Sequence, residues 1–167
     1  MFREMRRKRQ LLAEEESRKI LEQCTAGVLA VAGDDDYPYA VPISYVYREG
    51  RLYVHSALTG HKIDGLKRNP RVSFCIVAQD EIVPQKFTTC FRSVIVFGKA
   101  RIVEDEQECW QILRWLGAKY APGQEENCEE EIRQQIARTA VIEITAEHIT
   151  GKEAIEIVRA REEKATV

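Results

Sequence analysis

Residues 52–72 read LYVHSALTGHKIDGLKRNPRV. The apolar run from Leu52 to His55 has the character of a strand. It enters a turn of small residues holding Ser56, Thr59 and Gly60. His61 and Lys62 then open a short helical pattern that Asn69-Pro70 stops. A strand, a turn of hydroxyls and glycine, and a helix start with a cation beside it together favour an anion. The first N–H groups of the helix are free, and the positive end of its dipole faces the turn. Lys62 adds a point charge and His61 a further donor. An ordinary strand–turn–helix with a solvated basic rim would share this spacing, and the Walker and dinucleotide glycine patterns are absent.

Upstream, Tyr39, Val41, Ile43, Tyr45 and Tyr47 alternate with Ala40, Pro42, Ser44 and Val46, which is a strand period. Pro42 cannot donate a ladder hydrogen bond, so its neighbourhood belongs at an edge or a bulge. Arg48-Glu49-Gly50 predicts a hairpin into the strand at 51–55. Gly27 to Ala32 predicts a short buried strand, and Gly33 with Asp34, Asp35 and Asp36 a turn. Met5, Leu12, Ile20 and Cys24 share one helix face, which predicts a helix over about 4–24.

Downstream, the pattern predicts a strand at 71–78, a loop over 79–89 holding Pro84, and a long strand from Ser93 to Val103. Two helices follow, on Cys109, Leu113, Leu116 and Tyr120, and on Cys128, Ile132 and Ile136, with Pro122-Gly123 between them. A last strand carries Ile142, Ile144 and His148, whose imidazole reads as structural. The charged tail, 156–167, is expected to fray. Strands dominate and the helices cluster, so the expected fold is mainly β, a small antiparallel barrel of five or six strands with helices outside it. Residues 1–155 form a single expected domain.

Composition narrows the function. A chain of 167 residues with net charge −2 has no broad electrostatic drive toward nucleic acid or anionic membrane. The cluster Arg3, Arg6, Arg7, Lys8, Arg9 reads as a solvated face. No apolar run approaches the roughly 18 residues of a membrane span, and no signal-peptide core follows the basic cluster. The five cysteines lack metal or redox spacing, which suits reduced thiols in the cytoplasm. His55 and His61 lack a third ligand nearby, so no metal is expected. Trp110 and Trp115 read as packing residues.

The order His55-Ser56, His61-Lys62 and Asn69-Pro70-Arg71-Val72-Ser73 resembles the phosphate-binding segment of the FMN-binding split-barrel superfamily, which includes pyridoxamine 5′-phosphate oxidase. MRRKR at 5–9, AVPISYVYREGRLYVHSA at 40–57 and FRSVIVFGKA at 91–100 resemble more specifically its nitroimidazole-resistance (Nim) branch. The resemblance runs from about Met5 to about Ile155. It implies an antiparallel, six-stranded split β-barrel and a homodimer with FMN at the subunit interface. The phosphate would lie on Ser56, Gly60, His61 and Lys62. Val41, Pro42, Ile43, Ser44 and Tyr45 would meet the flavin ring through the backbone. His55 would run beside the ring as a candidate catalytic residue, a neutral imidazole able to move a proton. Arg92 and Ser93 would reach FMN from the second subunit.

One departure stands out. Where the oxidase strand carries an Arg and a Lys that bind cofactor, this chain has Ala40 and Tyr45. The implied activity is electron or hydride transfer from a reduced donor, such as NADH or NADPH, to a small acceptor. A flavin-holding sensor or carrier, and a split barrel using haem or a deazaflavin, are the alternatives.

Overall fold

The computed structural model describes residues 2–165. Seven strands form one antiparallel sheet: β1 (Ala26–Ala32), β2 (Pro38–Ser44), β3 (Val46–Arg48), β4 (Arg51–Ala57), β5 (Arg71–Val83), β6 (Thr88–Ile102) and β7 (Thr139–Glu153). Their order is β2-β1-β5-β6-β7-β4-β3. The helices α1 (Glu14–Gln23), α2 (His61–Arg68), α3 (Glu106–Tyr120), α4 (Glu125–Gln135) and α5 (Ile155–Ala165) lie outside the sheet. This is the mainly β, peripherally helical architecture that the sequence predicts, with one strand more than six.

The topology explains why the sheet curls. Its two edge strands, β2 and β3, are consecutive in sequence and joined by Tyr45 alone. One residue cannot span a flat seven-stranded sheet, where strands stand about 4.8 Å apart. The sheet therefore wraps until its edges meet at that corner. The wrapped interior holds Leu29, Phe74, Ile76, Val94, Val96, Ile142 and Ile144, all fully or almost fully buried. Alternation along β6 puts Val94 and Val96 inside and Ile95 and Phe97 outside. Helix α1 adds Leu21, and α2 adds Ile63 and Leu66. A second cluster lies under α3, where Cys109, Ile112 and Leu116 pack on Val46, Tyr53 and Val141. Asp105 starts α3 by accepting the Glu108 N–H at 2.7 Å. Glu49 and Gly50, both at positive φ, make the two-residue β3–β4 turn.

Three expectations change. The predicted 4–24 helix is confined to Glu14–Gln23. Before it the chain runs as a strap on β7: the Leu12 N–H donates to the Gly151 carbonyl at 3.0 Å, and Gln10 Nε2 to the Glu153 carbonyl at 2.9 Å. The strap also buries Leu12, so its apolar side mimics a longer helical face. The predicted 79–89 loop is mostly strand. β5 and β6 extend as a hairpin arm around Pro84–Lys86, and neither face of the arm is buried, which erases the alternation that marks a half-buried strand. The tail expected to fray is α5. Val158 is buried, and Arg161 pairs with the buried Glu153 at 2.7 Å. Thr166 and Val167 lie outside the described residues.

Candidate functional site

The barrel has a seam, and the candidate site follows it. β3 and β4 pair as Val46–Tyr53, Tyr47–Leu52 and Arg48–Arg51. Continued by two residues, that register would set Ser44 opposite His55. It does not continue. At Tyr45 the chain leaves β4, and β2 pairs only with β1. The stretch Val54–Ala57 pairs only with β7. Two strands thus diverge, each with an open edge toward the gap. Pro42 lacks the N–H that would help close it.

Tyr120 holds the corner. The Tyr45 N–H donates to the Tyr120 hydroxyl at 2.8 Å, and that hydroxyl donates to the carbonyl of Thr25 or of Tyr45, the latter at 2.7 Å. Tyr45 itself points inward, fully buried, and its hydroxyl donates to the Leu21 carbonyl at 2.8 Å. Burial pushes its phenol pKa up. Tyr45 is therefore corrected from a ligand contact to a corner post. Its backbone groups are committed and its ring lies in the core. Val41 and Ile43 turn their side chains onto the core, so only their backbone faces the gap. Pro42 and Ser44 are exposed.

At the far end of β4, Gly60 begins α2 at φ +124°, and no atom lies within 4 Å of where a Cβ would stand. That leaves open space at the helix start. Lys62 is half-buried, and among the described residues no carboxylate pairs with it. Ser56 donates to the Ala57 carbonyl at 2.9 Å, a local bond its rotor can exchange. The His61 ring stacks on Tyr39 with centroids 4.1 Å apart, and its Nε2 accepts the Asp34 N–H at 3.3 Å. Asp34 is itself paired with Arg68 at 2.7 Å. The imidazole thus ties the β1–β2 turn to α2 through Nε2, with an aspartate beside it.

His55 and Ser44 line a common cleft of about 910 Å³. Its other wall comes from α3 and α4. Leu113, Leu116 and Ile132 give it an apolar surface, and Tyr120, Gln124, Asn127, Glu131 and Gln135 give it polar groups. The His55 ring is open on the cleft side. Desolvation by the surrounding protein is still the main influence on it, and the Lys62 charge the second. Both push its pKa down and keep it neutral at pH 7. The α3–α4 wall escapes sequence reading because its polar residues fall on helices whose apolar periodicity reads as packing. The only local signal is the break at Pro122-Gly123, which turns α4 back over the seam.

Arg92 and Ser93 lie elsewhere in the same chain. His55 pairs with Val141, whereas Ser93 pairs with Lys152, eleven residues further along β7. At about 3.3 Å per residue that is roughly 36 Å of strand. Ser93 sits within β6 rather than at its head, and Arg92 pairs with the buried Glu153 at 3.2 Å. One small ligand cannot touch both ends of β7. Among the described residues no three His, Cys, Asp or Glu side chains converge as a metal set, and all five cysteines are unpaired.

The seam can take a flat heteroaromatic ring along two unpaired strand edges, with an anionic tail toward Lys62 and α2. Residues 13–153 match the family described as pyridoxamine 5′-phosphate oxidase. An uncharacterized protein of Rhizobium meliloti is 33% identical over 117 residues, spanning 61% of this chain and 72% of that protein. A crystal structure of an FAD-binding protein from Mesorhizobium loti is 28% identical, with a TM-score of 0.61 over 87% of this chain and 97% of that one. A Bacteroides thetaiotaomicron protein provisionally named a 5-nitroimidazole antibiotic resistance protein shares the fold. Its TM-score is 0.71 at 23% identity, over 86% of each chain.

Proposed function

This chain belongs to the pyridoxamine 5′-phosphate oxidase family, and on that footing we propose that it is an FMN-binding flavoprotein of the Nim-like branch, passing electrons from a reduced donor to a small acceptor. The single observation that carries this reading is the split between β2 and β4, with a neutral His55 on its β4 side and an unpartnered, half-buried Lys62 near it at the start of α2. The FAD-binding relative from Mesorhizobium loti supports a flavin. A single terminal cation beside a helix start suits the phosphate monoester of FMN.

Ser56, Gly60, Lys62 and the start of α2 would hold the phosphate. The backbone from Val41 to Ser44 would meet the polar edge of the ring. Bound there, the flavin supplies reversible electron transfer. The chain orients the ring, keeps water from part of the seam through α3 and α4, and offers His55 to hold or move a proton at the cleft. Arg92 and Ser93 serve a site only if they reach a second copy, so the working unit of this proposal is a homodimer. NADH or NADPH as donor, and a cytoplasmic setting for the unpaired thiols, complete the reading.

The visible spectrum of purified protein, followed by titration with FMN and mixing of the photoreduced protein with nitroaromatic and quinone acceptors, tests it. Two broad near-ultraviolet and blue bands and reoxidation faster than that of free flavin are expected. A sharp Soret band, or no uptake of FMN, overturns the cofactor. Uptake without acceptor reduction reassigns the protein as a carrier or sensor.

A further inference from the structure

Resting on that flavin reading, we infer that the α3–α4 wall is a substrate compartment that selects by charge, accepting uncharged and cationic aromatic molecules and turning anionic ones away, with Glu131 as the specificity-determining residue. The cleft of about 910 Å³ beside His55 and Ser44 is walled by Leu113, Leu116 and Ile132, an apolar surface suited to an aromatic ring. Around it stand the side-chain amides of Gln124, Asn127 and Gln135, which can donate or accept and carry no charge. Glu131 is the single carboxylate in the lining, and no lysine or arginine lines it. Among the described residues no cation pairs with Glu131.

The nearby cations are occupied. Arg114 pairs with Glu129, and Arg133 pairs with Glu130. Lys119 is turned away, donating to the Cys24 carbonyl at 2.6 Å with its ammonium over the Tyr45 ring. Arg138 bonds the amide oxygen of Gln135 from the rim. His55 stays neutral at pH 7. Lys62 faces the phosphate side of the seam in the reading above. With the flavin phosphate on Lys62, a ligand in the compartment therefore meets one uncompensated negative charge and several neutral dipoles. Phosphate esters and carboxylates are disfavoured there, and an organic ammonium is favoured.

A matched set of 2-naphthoate, 2-naphthamide and 2-naphthylmethylammonium reads this directly by fluorescence titration of the FMN-saturated protein. The ammonium is expected to bind about tenfold more tightly than the carboxylate at low salt, with the amide between them, and the gap should shrink at high salt. In Glu131→Gln the gap closes, and in Glu131→Lys the order reverses. Glu131 lies exposed on α4, so neither change threatens the fold. The inference is overturned if naphthoate binds as tightly as the ammonium in the unaltered protein, if Glu131→Lys leaves the order unchanged, or if no member of the set binds. A protein that takes up no FMN refutes the flavin reading alone. The same set is then read on the Lys62→Ala variant, where the cation of the seam is gone and the same order is expected.

Discussion

A half-buried ammonium without a carboxylate beside it is poorly solvated until an anion arrives. Lys62 is in that position. Lys62→Ala should weaken FMN about ten- to a hundred-fold, the worth of a charge-assisted bond, while riboflavin, which lacks the phosphate, should change little. Fluorescence titration with both flavins separates a phosphate contact from a general one. His55 yields a kinetic and a pH test. His55→Asn should keep the flavin spectrum and slow reoxidation by a quinone by about 10²-fold in stopped flow. The folded protein holds the His55 pKa below the ordinary value of about 6.5. As pH falls, the unfolded chain binds that proton first. Stability conferred by neutral His55 is thus complete above about pH 6.5 and is lost below it, and urea titrations across pH 5–8 should show this loss in the parent protein and not in His55→Asn. Sequence displays Ser44, His55, Ser56 and Lys62 because strand alternation and a helix start fix where they point. The contacts of Tyr45 and His61 are not legible in the same way. One turns inward at a corner and the other stacks on Tyr39, and both outcomes depend on contacts with distant segments.

Among the elements, those with strong local punctuation are the ones the sequence reveals. The Glu49-Gly50 turn, the Asn69-Pro70 stop and the edge position of Pro42 each follow from backbone chemistry within a few residues. The strap before α1 and the helix α5 are hidden, since what holds each lies far along the chain: the strap bonds the carbonyls of Gly151 and Glu153, and α5 pairs Arg161 with the Glu153 carboxylate. Glu153 is fully buried between Arg92 and Arg161. Glu153→Ala removes the buried carboxylate and leaves Arg92 and Arg161 to water they already partly reach, so it should cost about 1–3 kcal/mol in urea unfolding. The corner between β2 and β3 makes a milder test. Tyr120→Phe removes the hydroxyl that serves both backbone groups of Tyr45. It should cost about 1–3 kcal/mol and leave the core intact by near-ultraviolet circular dichroism.

For the whole molecule, the outer face of β5 and β6 exposes Val77, Ile95 and Phe97, and Phe87 at the arm's tip is 98% exposed. Apolar surface of this kind on a sheet face, with Arg92 and Ser93 stranded far from His55, fits a second copy. Light scattering at micromolar concentration should give twice the chain mass of 19.2 kDa. A monomer that still retains FMN would remove Arg92 and Ser93 from the site. The seam between β2 and β4 also bears on how the chain reaches this state. β1 and β2 close a local hairpin, Ala32 against Pro38, and β5 and β6 close another. The Val54–Ala57 stretch of β4, by contrast, waits for β7, with His55 paired to Val141, 86 residues further along the chain. Loop-closure entropy makes such distant pairing late and slow. One wall of the slot is then among the last parts to appear, so FMN present from the start of refolding cannot template the early collapse and should stabilise only the finished chain.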